Sequence, residues 1–160
     1  MNIKDYIGKR GEVIFPMLIT KWCNGKPWFD STFLGEKAEA KGFLVNLIGP
    51  ESGDAYFFVQ VKATKNGYTG TGPDEKLKVK VTKADIAKLK KVPAPTYVVG
   101  IDIVKECGFI IAITAETTGS ISGITTRFRI NCGVIKALWK EVDTYWRARK
   151  MLAATSTFSP

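Results

Sequence analysis

The sequence contains no histidine among its 160 residues. This absence excludes every Ser-His or Cys-His nucleophile pair, every zinc site with histidine ligands and every histidine general base. Only three cysteines are present, Cys23, Cys107 and Cys132, and they form no Cys-x-x-Cys motif. An odd number at such wide spacing argues against a thiolate metal site and against a disulfide framework. We therefore expect buried, reduced thiols, as in a cytoplasmic protein.

Long hydrophobic runs are also missing from the chain. No apolar stretch approaches the roughly 18 residues that a membrane-spanning helix needs, so we expect no membrane partner. The first residues, Met1 to Asp5, include no apolar h-region, and we expect no secretory signal. Hydrophobic residues make up 45% of the chain and charged residues 24%, which is typical of a globular domain. The length fits one such domain.

Negative charge is scarce relative to positive charge. Lys and Arg number 24 against 15 Asp and Glu, a formal net charge of +9, which favours a polyanionic partner. Much of this excess lies in residues 76–91, where seven lysines accompany a single acid, Asp85. Such a cluster favours phosphate binding, although a merely solubilising face is the alternative. The candidate nucleic-acid contacts are Lys76, Lys78, Lys80, Lys88, Lys90 and Lys91.

Hydrophobic periodicity and turn residues predict an α/β domain with one mixed central sheet flanked by helices. We assign this domain to residues 1–152 and expect a frayed tail at 153–160. The predicted helices are 7–22, interrupted by Pro16, 83–91, capped by Thr82, and 134–152. The predicted strands are 42–48, 55–64, 77–81, 96–102, 108–114 and an edge strand at 125–131.

The strands 42–48 and 55–64 read as an antiparallel hairpin, and the second strand carries two polar residues inside an apolar stretch. Gln60 and Lys62 are two residues apart, so their side chains leave the same face of the strand. An amide oxygen and an ammonium in one cleft suit a divalent ion and an anion or attacking water, respectively. Without histidine, hydrolytic chemistry would depend on carboxylates, lysines and a hard metal such as Mg²⁺.

The segment Phe57 to Thr64 resembles the (Glu/Gln)-x-Lys strand of the PD-(D/E)xK nuclease superfamily. The segments 8–12 and 95–100 are similar to those of the bacterial domain of unknown function 4365, and the resemblance covers roughly residues 5–150. It implies a restriction-endonuclease-like fold and metal-dependent cleavage of DNA or RNA phosphodiesters, with Mg²⁺ or Mn²⁺ as cofactor. It also implies a cytoplasmic role in defence against foreign DNA, with a regulatory protein partner or a homo-oligomer.

The resemblance assigns a role to each matching residue. Glu12 is the helix carboxylate that completes the metal shell, and Gln60 is a metal ligand at a position where Glu is commoner. The backbone carbonyl of Val61 is a further ligand. Lys62 orients water and stabilises the transition-state phosphate. The family pattern also requires an aspartate at the start of the first hairpin strand, where this chain has Gly42.

Gly42 departs from the family pattern, and its absent carboxylate should weaken the binding of a hard divalent ion. Three explanations are open. The chain is a natural pseudo-enzyme; or it carries an inactivating change of Asp to Gly; or another carboxylate, Glu39 before Asp54, moves into the site.

Each candidate residue also has a plain structural explanation. Glu12 is then an ordinary charge on an amphipathic helix, and Gln60 and Lys62 lie on the solvent side of an antiparallel sheet. Two functions other than a nuclease also remain open. One is a catalytically dead module that binds nucleic acid, with DNA favoured over RNA, and the other is a subunit that binds a protein partner.

Overall fold

The structure is a computed structural model that describes residues 1–35, 42–50, 53–149 and Thr157. Three α-helices, eight strands and two short 3-10 helices are formed by these residues. The helices are α1 (Ile3–Ile19), α2 (Lys83–Lys90) and α3 (Cys132–Arg149), and the 3-10 helices are Gly72–Asp74 and Thr126–Phe128. The strands are β1 (Phe29–Phe33), β2 (Phe43–Leu47), β3 (Tyr56–Thr64), β4 (Tyr68–Thr69), β5 (Lys76–Leu77), β6 (Thr96–Asp102), β7 (Cys107–Ile113) and β8 (Ile124–Thr125).

Five strands form one mixed sheet in the order β1-β2-β3-β6-β7. The pairs β1/β2, β2/β3 and β6/β7 are antiparallel, whereas β3 and β6 run parallel. A parallel pair needs a crossover connection, and here the crossover contains β4, β5 and α2. Strand β8, which follows β7, joins β4 and β5 in a small second sheet. The predicted α/β class with a mixed sheet and flanking helices is therefore confirmed, as is the predicted hairpin of β2 and β3.

Helix α1 lies against one face of this sheet. Asn2 caps the helix, because its side chain accepts a hydrogen bond from the Asp5 amide. Ile14, Phe15 and Ile19 are buried in the larger hydrophobic core. The helix begins and ends earlier than predicted, so Trp22, expected on the buried stripe, lies beyond it and is 65% exposed. That part of the prediction was wrong.

Gly11 is the point of closest approach between α1 and β3. A Cβ built at Gly11 would lie 2.6 Å from the Cβ of Ala63 and 3.5 Å from Val61 Cγ1, whereas one at Gly8 meets nothing within 4 Å. Gly11 therefore permits the helix to pack directly on the strand. This contact also shows that Val61 and Ala63 face α1, and that Gln60 and Lys62 project from the opposite face.

We expect Gly11→Ala to lower the free energy of unfolding by about 1–3 kcal/mol, because the added methyl group overlaps a rigid neighbour. Gly8→Ala should raise it by about 0.5–1 kcal/mol, since the position is open and alanine favours the helix. Urea unfolding of the two variants measures both effects. Equal effects of the two substitutions would contradict this packing of α1 on β3.

The second hydrophobic core lies on the other face of the sheet. It combines Val98, Phe109 and Ile113 with residues of the crossover segment, including Leu77, Ile86 and Leu89. A Cβ at Gly100 would lie 2.9 Å from Leu77 Cδ2, which places the crossover directly on this face. Helix α2 follows its prediction, and the Thr82 hydroxyl caps it by accepting from the Asp85 amide at 3.1 Å.

Several short elements differ from the prediction. Strand β1 was missed because it is an edge strand with the polar sequence FDSTF, in which only Phe29 is buried. The predicted strand 77–81 is reduced to β5 and an isolated bridge between Val81 and Ile121. The predicted edge strand 125–131 is wrong, because the Thr125 hydroxyl accepts from the Arg127 amide and starts a 3-10 helix. Residues 150–152 and the tail, apart from Thr157, lie outside the described residues.

The expectation of three reduced cysteines was also wrong. Cys23, after α1, forms a disulfide bond with Cys132, the first residue of α3, across a sequence separation of 109. The fold brings the two thiols together although their spacing gives no sign of it. Disulfides persist in oxidising environments, so the cysteine pattern no longer argues for the cytoplasm. Cys107 is free and buried, as expected.

In the part of the chain that the structure describes, no helix is both long enough and apolar enough to cross a membrane.

Candidate functional site

The face of β3 that carries Gln60 and Lys62 is covered by the crossover segment and not by solvent. Gln60 is only 9% exposed, and Lys62 is half-buried. The alternative that both residues lie on a solvent-facing sheet surface is therefore wrong for Gln60. A buried amide and a half-buried ammonium on one face need polar partners, because burying such groups without hydrogen bonds costs free energy.

The partner of both side chains is Asp85, in the first turn of α2. Its Oδ2 accepts a hydrogen bond from Lys62 Nζ at 3.1 Å and from Gln60 Nε2 at 3.3 Å. The contact with Lys62 is also a salt bridge, in which the Asp85 side chain is 22% exposed. Helix α2 holds Asp85 there because Ile86 and Leu89 anchor the helix in the second core. The structure thus brings an amide, an ammonium and a carboxylate together.

Gln60 Oε1 is buried and has no hydrogen-bond partner among the described residues. Its amide nitrogen is used by Asp85, so the oxygen lies beside the carboxylate without a donor. Most buried polar atoms in folded proteins are hydrogen-bonded, and an exception calls for an explanation such as an ion or a functional role. This oxygen is the least satisfied polar atom of the site.

Gly42 lies next to the backbone of β3 on either side of Gln60. Its amide donates to the Val59 carbonyl at 3.0 Å. Val59 is paired with Phe43 in the ladder, so this hydrogen bond is shifted by one residue from the register. A Cβ at Gly42 would lie 3.4 Å from Val59 O and 3.9 Å from Val61 N, which are ordinary contacts. A side chain at this position would therefore begin beside Gln60 without a clash.

Val61 belongs to the same part of the strand. Backbone groups two residues apart on a strand point to the same side, so the Val61 carbonyl points, like that of Val59, toward the side of β2. Among the described residues, the β2 ladder ends at Phe43 opposite Val59, and a Cβ at the preceding Gly42 would lie 3.9 Å from the Val61 amide nitrogen. Gly42, Gln60 and Val61, predicted to belong to one site, are therefore neighbours.

Glu12 approaches from the other side of the sheet. It lines a cleft of about 830 Å³ between α1 and the ends of β1 and β2. Phe33, Leu34 and Phe43 are among the other residues of this cleft. Glu12 thus lies near the start of β2, whereas Gln60 and Lys62 face α2. Its predicted role as a metal ligand stays a prediction.

The candidate nucleic-acid contacts lie on the segment that covers the Gln60 face. All six lysines are exposed, and the first three alternate with the buried residues Leu77, Val79 and Val81. Lys90 Nζ donates to the Thr117 carbonyl at 2.8 Å. The one acid of the segment, Asp85, is turned inward, so the outer surface of 76–91 carries only positive charge. Phosphate binding by these lysines stays a prediction.

Sequence reasoning missed Asp85 as a member of the site. Its position three residues after the N-cap Thr82 gave no signal of this, because an acid there often reaches back to the cap. Of the two carboxylates weighed instead, Glu39 lies outside the described residues and Asp54 is exposed at the turn between β2 and β3. Only the fold reveals that α2 lies over β3.

Another buried carboxylate, Asp102, lies on the same sheet face opposite Thr64, but its bonds are structural. Burial alone would raise its pKa. The hydrogen bonds from the Tyr68 hydroxyl and from the amides of Val104 and Lys105 outweigh burial and hold the pKa of Asp102 below its ordinary value. The ionised carboxylate therefore fastens the turn between β6 and β7.

The described residues include no group of three or more Cys, Asp or Glu side chains placed to hold a metal ion. Protein-family models and curated proteins were compared with this chain, and neither comparison finds a match.

Proposed function

We propose that the face of β3 formed by Gln60, Lys62 and the neighbouring Gly42 is a nuclease-type site that hydrolyses nucleic-acid phosphodiesters with the help of a divalent metal ion. The observation that carries this proposal is the buried, unpartnered Gln60 Oε1 beside an ammonium and a carboxylate. The resemblance of the β3 segment to the (Glu/Gln)-x-Lys strand supports it, as does the mixed sheet that presents this strand.

The oxygen donors present fit a hard cation, because Mg²⁺ and Mn²⁺ prefer carboxylate, carbonyl and amide oxygens. Gln60 Oε1 and the Val61 carbonyl would hold it, whereas Glu12, which the resemblance also names, lies on the α1 side of the sheet. The bound ion would supply Lewis acidity at the scissile phosphate and lower the pKa of a water nucleophile. Gly42 contributes no oxygen, so we expect weak binding and slow cleavage.

Lys62 would stabilise the negative charge that develops on the phosphate. Its ammonium is half-buried and lies 3.1 Å from Asp85, on the same strand face as Gln60. The lysines of residues 76–91 would hold the sugar-phosphate backbone, which gives affinity without sequence readout. We therefore propose low sequence specificity, and defence against foreign DNA as the biological setting.

Supercoiled plasmid nicking tests the proposal. With Mn²⁺ or Mg²⁺ the chain should nick slowly, EDTA should stop the reaction, and Lys62→Ala should reduce the rate by roughly 10²-fold. Lys65→Ala, three residues along the chain at an exposed position, is the matched control and should leave the rate unchanged. Nicking that continues in EDTA, or that is equally fast in Lys62→Ala, would rule out this site.

A second candidate function is a nucleic-acid-binding module without catalysis. The ion pair between Lys62 and Asp85 favours it, because the ammonium is already neutralised, and so does the missing side chain at Gly42. In this case the exposed lysines of residues 76–91 are the functional surface. Binding without metal-dependent cleavage would distinguish this module from the nuclease.

Both functions predict salt-dependent binding through the lysine segment. Replacing Lys76, Lys78 and Lys80 by Gln should lower the slope of log affinity against log salt concentration by up to about three, since each phosphate contact contributes about 0.9. Fluorescence anisotropy with a labelled duplex measures the slope. A triple variant of the exposed residues Lys4, Lys21 and Lys140 removes the same charge elsewhere. Equal slopes for the two triple variants would show that residues 76–91 do not contact the backbone.

A further inference from the structure

We propose that Asp85 is the carboxylate ligand of the divalent ion at this site and takes the place of the side-chain oxygen that Gly42 does not supply. The proposal rests on the proposed function, because it concerns the same ion. It assigns the ligand to a different element, since Asp85 belongs to α2 and position 42 lies at the start of β2. The three observations that support it are the direction of the Asp85 carboxylate, its distance from the Gln60 amide and its ion pair with Lys62.

The direction of the Asp85 carboxylate is not explained by helix capping. An acid at the third helical position usually turns back toward the N-cap amide. A full capping box has two reciprocal hydrogen bonds. Here one of them is formed, because the Asp85 amide donates to the Thr82 hydroxyl at 3.1 Å. The carboxylate instead points into the sheet face and contacts Gln60 and Lys62. Asp85 is thus aimed at the two residues that the resemblance marks as functional.

The spacing of the polar atoms suits one shared cation. The Gln60 amide nitrogen lies 3.3 Å from Asp85 Oδ2, and Gln60 Oε1 belongs to the same amide and is buried without a partner. Adjacent ligands of an octahedral Mg²⁺ are about 3 Å apart, because each bond is about 2.1 Å. A rotated amide would therefore present Oε1 to the same ion as Asp85. This arrangement would also give Gln60 Oε1, which has no partner among the described residues, a ligand role.

Lys62 and a cation would compete for the same carboxylate. In the structure the ammonium neutralises Asp85 through the contact at 3.1 Å. Binding of a divalent ion to Asp85 would weaken that ion pair and release Lys62 toward the substrate phosphate. Removing the ammonium should then strengthen metal binding, which a purely structural ion pair does not predict. The proposal therefore couples occupancy of the ion site to the availability of Lys62.

Mn²⁺ binding followed by electron paramagnetic resonance, without nucleic acid, tests the assignment. Asp85→Asn should weaken Mn²⁺ binding at least tenfold, and Lys62→Met and Gln60→Glu should each strengthen it. Asp74→Asn, at an exposed acid in the same crossover segment, is the matched control and should change nothing. If Asp85→Asn folds poorly, Asp85→Glu keeps the charge and should retain Mn²⁺ binding. Unchanged affinity in Asp85→Asn, or no Mn²⁺ binding by the unaltered chain at millimolar concentration, would overturn the proposal.

The same variants separate this inference from the proposed function. Mn²⁺ binding that depends on Asp85 in a chain that cleaves nothing would support the ion site and refute the nuclease. Metal-dependent nicking with Mn²⁺ affinity that is indifferent to Asp85→Asn would support the nuclease and refute the role of Asp85. The two failures therefore have different experimental signatures.

Discussion

Gly42→Asp is expected to raise metal-dependent cleavage of plasmid DNA by roughly 10²-fold, a gain of the size that a well-placed charged group gives at a transition state. The substitution adds a charged oxygen beside Gln60 and Val61, where a hard cation is held mainly by carboxylate charge and ligand number. Space is available, because the new Cβ would make only ordinary contacts with β3. Gly42 also lies outside the left-handed region, so an L-residue fits its backbone.

Gly42→Asn is the matched control, because it has almost the same shape without the charge. It should give little or no gain in cleavage. Adding Lys62→Ala to Gly42→Asp should abolish the gain while most binding to DNA remains, since the exposed lysines of residues 76–91 are unchanged. A Gly42→Asp protein that folds and binds nucleic acid but cuts nothing would favour the binding module.

The larger elements were predictable because their signals are local. The apolar runs on both sides of the Gly53 turn predicted the pairing of β2 and β3, and Thr82 marked the start of α2. The period of two along β3 predicted that Gln60 and Lys62 share a face. These patterns depend on neighbouring residues alone, and the fold leaves them intact.

The rest of the site depends on contacts between distant residues. Asp85 reaches Gln60 and Lys62 across 25 and 23 positions, and only the packing of α2 on the sheet produces this contact. The sequence window around Asp85 shows one acid among lysines, a pattern typical of a solvated surface. The position of Glu12 likewise depends on a distant contact. Gly11 faces Ala63 of β3, and the next residue, Glu12, therefore lines the cleft beside β1 and β2.

Reduction of the disulfide between Cys23 and Cys132 should lower the free energy of unfolding by about 5 kcal/mol. The bond restricts the unfolded chain over a sequence separation of 109, and the entropy lost by closing a loop of this size gives that magnitude. Urea unfolding with and without a phosphine reductant, followed by circular dichroism, measures the difference. The variant that combines Cys23→Ser and Cys132→Ser should be less stable and insensitive to the reductant.

The thiol count gives an independent check on the same bond. One thiol, that of Cys107, should react with a thiol reagent in the denatured, unreduced chain. Three thiols should react after reduction. Local structure should also respond, because the Trp28 indole donates to the Cys23 carbonyl at 2.8 Å and will report the loosened turn as a change in fluorescence. Three reactive thiols before reduction, together with unfolding curves that coincide, would show that Cys23 and Cys132 are unbonded in solution and that packing alone holds their two segments in place.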